Sequence, residues 1–346
     1  MKAAIYRKFQ GEIKIESLPD PDPLPNGVVL KVEATGLCRS DWHGWMGHDS
    51  DITLPHVPGH ELAGTIVEVG QEIKNFQVGD RVTVPFVGGC GKCPQCASGN
   101  QQVCDNQFQP GFTHWGSFAE YVGIHYADEN LVKLPEQIGF DTAASLGCRF
   151  ITSYRAVVHQ AKIEEGQWLA VYGCGGVGLS AIMIAKAKGA RVIAVDINNE
   201  SLAFSQHIGA DHAINSSAQN PIEQIREITN GGAHISIDAL GNKQTCYDSV
   251  ASLRKRGKHI QVGLLAGEDF EPRLPMQLVV ANELEIIGSH GMQAHAYPEM
   301  LEMISNGLLK PELLINKSVE LIEATKLLPK MNDFQSPGVT LINSFV

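Results

Sequence analysis

The chain has 346 residues, 43% apolar and 19% charged, enough for two domains that each bury a core. Its formal net charge of -11, with no Lys/Arg stripe, disfavours nucleic acid and anionic membrane as partners, because phosphate repulsion goes unopposed. Eight cysteines and no apolar leader in Met1–Arg7 point to reduced thiols, metal binding and a cytoplasmic protein, not a disulfide framework.

Residues 1–35 alternate apolar and polar side chains (Ile13 and Ile15 among Glu12, Lys14 and Glu16) around a Pro/Asn/Gly turn from Pro19 to Gly27, which reads as strand, turn, strand. Between Cys38 and Glu61 the chain then gathers Cys38, Ser40, Asp41, His43, His60 and Glu61, the kit for holding a Lewis-acid metal and moving a proton beside it. A catalytic zinc keeps three protein ligands and one open position. Cys38 and His60 are two candidates, and Cys148, otherwise uncommitted, is the third. Asp41 and Glu61 suit outer partners or alternate ligands, since a ligating His needs an acceptor on its other ring nitrogen. Short β segments follow at Gly64–Val69 and Arg81–Val84. In Cys90-x2-Cys93-x2-Cys96-x7-Cys104, four thiols lie among Gly88, Gly89, Gly91, Pro94 and Gly99. They can close a tetrahedral S4 site, a structural zinc or, with the same donors, an iron–sulfur cluster. Thr113–Tyr121 returns to strand patterning, and His114 and His125, outside any cluster, are expected not to be ligands.

Trp168–Ala185 carries no charge, but Gly173, Gly175, Gly176 and Gly178 divide it into a strand and a helix start, so no membrane span is expected. The glycine turn follows the strand Trp168–Tyr172, opens the helix Leu179–Lys188, and precedes a second strand ending at Asp196, eighteen residues beyond Gly178. That is the context of a dinucleotide site: glycines let backbone N–H groups approach a pyrophosphate, and Asp196 accepts ribose hydroxyls while repelling a 2′-phosphate. NAD is favoured over NADP. Strands at 211–215, 234–239, 259–263 and 284–289 and helices at 221–229 and 243–256 complete six expected parallel strands. Residues 290–346 hold two amphipathic helical patterns and a last strand, Val339–Ile342, expected to rejoin the first domain.

The run Gly59-His60-Glu61-x2-Gly64-x5-Gly70, followed by Val78-Gly79-Asp80-Arg81-Val82, resembles the zinc-dependent medium-chain alcohol dehydrogenase family, over nearly the whole chain. The resemblance implies an α/β protein: a β-rich GroES-like catalytic domain (1–149 and 291–346) with a structural zinc lobe, and a Rossmann coenzyme domain (150–290). It implies one catalytic and one structural zinc, the latter on Cys90, Cys93, Cys96 and Cys104. It further implies a proton relay from bound alcohol through Ser40 and the cofactor ribose to His43, and Arg39 on the cofactor pyrophosphate. Val177 is implied to lie against the nicotinamide, and Phe86 with Trp45 along the substrate pocket. The family often carries a basic residue near the C-terminal strand; Ser336–Thr340 offers none, leaving the phosphates to Arg39 and the helix N-terminus. Cys148, where the polyol branch often has a carboxylate, tilts the expectation toward simple alcohols, and a primary alcohol is the expected substrate. A polyol, threonine or formaldehyde-type dehydrogenase is the alternative, and a non-catalytic NAD-binding protein is disfavoured by the complete ligand set. A homodimer or homotetramer is implied, with subunit contacts expected near residue 284.

Overall fold

Three sheets order the computed structural model, which describes residues 1–333 and 337–345. Strands β1 (Lys2–Tyr6) and β2 (Ile13–Ser17) pair antiparallel. The second sheet, of seven strands, is built on β3 (Val28–Leu37), β4 (Glu61–Val69), β5 (Arg81–Thr83), β6 (Tyr121–Ile124) and β7 (Val132–Lys133). The third holds six parallel strands, β8 (Trp168–Tyr172), β9 (Arg191–Asp196), β10 (His212–Asn215), β11 (Ala233–Asp238), β12 (Leu253–Gln261) and β13 (Glu285–Gly288), in the order β10-β9-β8-β11-β12-β13. Finally β14 (Ile315–Glu320) and β15 (Val339–Ser344) return to the second sheet, where Thr340 pairs with Leu37. Ser336, part of the expected departure from the family, lies outside the described residues.

The apolar run of β8 fits a central strand covered on both faces, and helix Gly176–Ala187, buried along most of its length, covers one of them. Sequence order reverses between β8 and β11, which places a crevice beyond their carboxyl ends. A helical segment from Phe140 to Gln160 lies between the two large sheets. Its Leu146, Phe150 and Tyr154 share one core with Ala34 and Ala63 of the second sheet and Val171 of the third. Each such large side chain contributes about 2 kcal/mol by leaving water. Among the described residues no helix is long and apolar enough to cross a membrane.

Two expected elements differ. The helix read over 243–256 ends at Ala251, and β12 takes over at Leu253, because Leu253 pairs with Ala233 and Arg256 turns to φ 60° before Lys258–Gln261 rejoin the ladder. The strand read over 113–121 is confined to Tyr121–Ile124. Ahead of it the chain packs against the Gly59 backbone so closely that a Cβ on Gly116 would lie 2.1 Å from Gly59 O.

Candidate metal centre and dinucleotide turn

Three separate pieces of chain bring the donors together. Cys38 follows β3 and caps helix Arg39–Met46; His60 directly precedes β4 and Glu61 opens it; Cys148 sits on a π-helical turn, Leu146–Phe150, inside the helical segment between the sheets. Ligand atoms of Cys38, His60, Glu61 and Cys148 lie within 4.8 Å of one another. Asp41 is their organiser. Its Oδ1 accepts from His60 Nδ1 at 2.9 Å and from Gly59 N at 3.0 Å, and its Oδ2 accepts from Cys38 N at 2.9 Å. That arrangement puts the His60 proton on Nδ1 and leaves Nε2 as a buried lone pair with no hydrogen-bond partner among the described residues. An orphaned imidazole nitrogen facing two thiols is a costly arrangement unless a cation completes it.

Without a cation the donors compete for protons. The Cys148 thiol, with Arg149 and His60 nearby, holds the Cys38 thiol well below its usual range despite burial, while Cys148 is pushed up by Cys38 and by burial. Burial opposes a charge on His60, but Asp41 and Cys38 outweigh it and raise its pKa. Glu61, fully buried, is bound by Arg149: Nε donates to Oε1 at 2.9 Å, the backbone N–H to Oε1 at 3.2 Å, and Nη2 to Oε2. With Glu61 balanced in this way, a divalent ion that displaces the Cys148 and His60 protons would meet two thiolates and a neutral imidazole, a donor set that fits zinc. Arg149 escaped the sequence reading; its only signal was a basic residue beside the candidate ligand Cys148.

Ser40 Oγ lies 3.8 Å from Cys38 Sγ. One turn on, His43 is partly buried, and its Nδ1 meets His48 Nδ1 at 3.0 Å; His48 was not singled out from the sequence. Arg39 donates to Asn332 Oδ1 at 2.6 Å and lies 5.3 Å above the Trp42 ring. Phe86 and Phe112 face His60 with ring centroids 6.1 and 5.0 Å away, whereas Trp45 donates to Gly11 O and belongs to the core around Tyr6.

Gly173, at φ 92°, ends β8 against Leu240, and a Cβ on Gly178 would lie 1.8 Å from Gly173 O, so neither position takes a side chain. A Cβ on Gly176 would lie 2.4 Å from Arg149 Cδ, while one on Gly175 would meet nothing within 4 Å. Gly175 therefore borders open space at the start of helix Gly176–Ala187, where backbone N–H groups attract phosphate. Val177 follows in the first turn, its carbonyl bound by Ser153. Asp196, ending β9, accepts from Cys174 N at 2.6 Å and Asn198 N at 2.9 Å. Ile197 and Leu240 leave large apolar surfaces exposed at the same end of the sheet. The turn fits a dinucleotide.

Cys90, Cys93, Cys96 and Cys104 form a second donor set within 4.8 Å, all buried. Cys104 Sγ accepts from Cys90 N and Asn106 N at 3.3 and 3.2 Å, and Cys96 N–H draws the Cys93 thiol down to about 6. Four protein sulfurs leave no open position, as a structural zinc requires. His114 and His125 instead stack near Phe108, at centroid distances of 4.7 and 4.4 Å.

Fold and sites together define a metal-dependent dehydrogenase built on a dinucleotide-binding sheet. Residues 24–136 match the alcohol dehydrogenase GroES-like domain and residues 176–306 the zinc-binding dehydrogenase domain. The chain belongs to the zinc-dependent medium-chain alcohol dehydrogenase family. It is 36% identical to an NAD-dependent alcohol dehydrogenase of Sulfurisphaera tokodaii, with 98% of each chain aligned. It is 32% identical to a sorbitol dehydrogenase of Bacillus subtilis, over 97% of this chain and 95% of that one. The solved alcohol dehydrogenase of Thermus sp. ATN1 superposes with a TM-score of 0.90 at 27% identity, over the whole of both chains.

Proposed function

We propose that this chain is a zinc- and NAD-dependent dehydrogenase that reversibly converts a small primary alcohol to its aldehyde. The observation that carries the reading is the unpartnered His60 Nε2 beside the Cys38 and Cys148 thiols. When bound, zinc supplies a Lewis acid and the nicotinamide a hydride acceptor. Cys38, His60 and Cys148 hold the metal, with Glu61 beside it, and Asp41 fixes the imidazole. Ser40 receives the hydroxyl proton of the substrate, and His43 carries it toward solvent. Phe86 and Phe112 keep water from the reacting carbon.

Gly173, Gly175, Gly176 and Gly178 cradle the pyrophosphate with Arg39, Val177 packs on the nicotinamide, and Asp196 selects NAD. Cys90, Cys93, Cys96 and Cys104 hold a structural zinc. We divide the chain into a catalytic domain (1–149 and 291–346) and a coenzyme domain (150–290), a division supported by sheet membership. A homodimer or homotetramer with a subunit contact along β13 is supported by that edge strand and by helix Met276–Asn282, which buries no residue and leaves Val280 77% exposed. Eight free cysteines support a reducing, cytoplasmic setting. The name of the Bacillus subtilis relative favours polyols as the second reading.

The test is NADH formation, followed by absorbance, across primary alcohols, secondary alcohols and polyols, before and after chelation and zinc restoration. Zinc-restorable turnover of primary alcohols supports the reading; preference for polyols moves the assignment to the second; turnover indifferent to chelation sinks the zinc role.

A further inference from the structure

A hydrogen bond between two imidazole nitrogens carries one proton and one lone pair, so the 3.0 Å Nδ1 to Nδ1 contact of His43 and His48 joins two rings through a transferable proton. The contact is a product of the helix end. Helix Arg39–Met46 stops at Gly47, whose φ of 83° turns the chain back, and His48 N donates to His43 O at 3.0 Å. The turn lays the His48 ring beside His43, 5.3 Å between centroids, with both rings edge-on to Trp42 at 4.9 and 5.8 Å. His43 is partly buried and His48 is exposed.

We propose that His48 is the exit station of the proton pathway, taking from His43 the proton that alcohol oxidation releases and delivering it to solvent. The proposal rests on the relay role of His43 given above. One proton enters at His43 Nε2 as the N–H bond at His43 Nδ1 breaks and a new one forms at His48 Nδ1; His48 then loses its Nε2 proton to water or a buffer base. One proton enters and one leaves per turnover, and between turnovers the tautomers reset as His48 Nε2 takes a proton from water, His48 Nδ1 returns its proton to His43 Nδ1, and His43 Nε2 gives its proton to water. Burial, then the positive charge of Arg39, then His48 lower the His43 pKa, so His43 passes a proton on more readily than it keeps it. The charged groups that bear on the pair are Arg39, which Asn332 of the C-terminal segment holds in place, Cys38, and Asp49 next to His48 in sequence.

The experiment is stopped-flow proton release, read with a pH indicator on mixing full-length zinc-loaded enzyme with NAD+ and alcohol, for the wild type, His43→Gln, His48→Gln and His48→Ala. NADH fluorescence titration checks each variant for an intact fold and cofactor site. The expected result is that both His48 variants release protons about tenfold more slowly in weak buffer, with recovery as imidazole is added, because a diffusing base replaces the missing ring. Release at the wild-type rate in the His48 variants, with His43→Gln slow, overturns the exit role and leaves the relay standing. Wild-type rates in all three variants overturn the relay itself. A slow His48 variant that imidazole does not rescue assigns His48 a structural role and overturns the proposal.

Discussion

The guanidinium of Arg149 and the carboxylate of Glu61 form a buried, two-pronged ion pair directly behind the candidate metal donors, joined across 88 positions of sequence. Burial pushes the Glu61 pKa up and Arg149 is the largest influence opposing it, ahead of His60, so removing the guanidinium strands a carboxylate inside the protein. Arg149→Met is expected to destabilise the chain by about 3–5 kcal/mol in denaturant unfolding. The double variant Glu61→Gln, Arg149→Met is expected to recover most of that loss, since no buried charge is left unpaired. Additive losses would show that the side chains matter through packing alone.

Asp41 bonds three groups at once, His60 Nδ1, Gly59 N and Cys38 N. Asp41→Asn keeps the shape but offers one acceptor oxygen where there were two, and it loosens the tautomer of His60. Zinc affinity, measured by chelator competition, is expected to fall about 10–100-fold with secondary structure unchanged. An unchanged affinity would mean that the β4 backbone alone orients His60.

Much of this was open to a sequence reading, for a physical reason. Ligand types recur at tight spacing in Cys38–Glu61 and Cys90–Cys104, and the glycine turn shows its strand, helix and acid in one short window. Arg149 was not, because its partner lies 88 positions away and only packing of the 140–160 helix against β4 brings the two together. His48 was adjacent in sequence to everything that mattered, yet its contact with His43 depends on the φ of Gly47. The end of helix Lys243–Ala251 was not legible, because Arg254, Lys255 and Arg256 are good helix formers that give no strand signal. Pairing of β12 with β11 overrode that propensity.

Cys104 serves its cluster as a donor and as an acceptor for two backbone N–H groups. Cys104→Ser is expected to lower zinc content by about one ion per chain and to make residues 90–104 sensitive to protease. NADH binding should survive, since the glycine turn belongs to the other large sheet. Retention of full zinc content would refute the four-sulfur assignment.

Asp196 already accepts two backbone N–H groups, which fix its carboxylate at the end of β9. A 2′-phosphate there would meet that charge. Asp196→Ser is expected to cost NAD about 10–100-fold in kcat/KM, one to two steps of 1.4 kcal/mol, while NADP improves. The ratio of the two cofactors is the readout, because a general loss of folding lowers both together.

His125 supplies a pH dependence through a group that belongs to neither donor set. Burial, then the neighbouring His114, lowers its pKa to about 4, against about 6.5 in an unfolded chain. Between those values the unfolded state binds a proton that the folded state refuses, so stability falls as pH drops from 6.5 toward 4 and none of this effect is felt above 6.5. His125→Phe keeps a ring to stack on Phe108, 4.4 Å away in the native protein, and removes the titration. Its unfolding midpoint is expected to decline less than the wild type over that window and to match its slope above it. Parallel curves through the whole range would place the acid sensitivity on other groups.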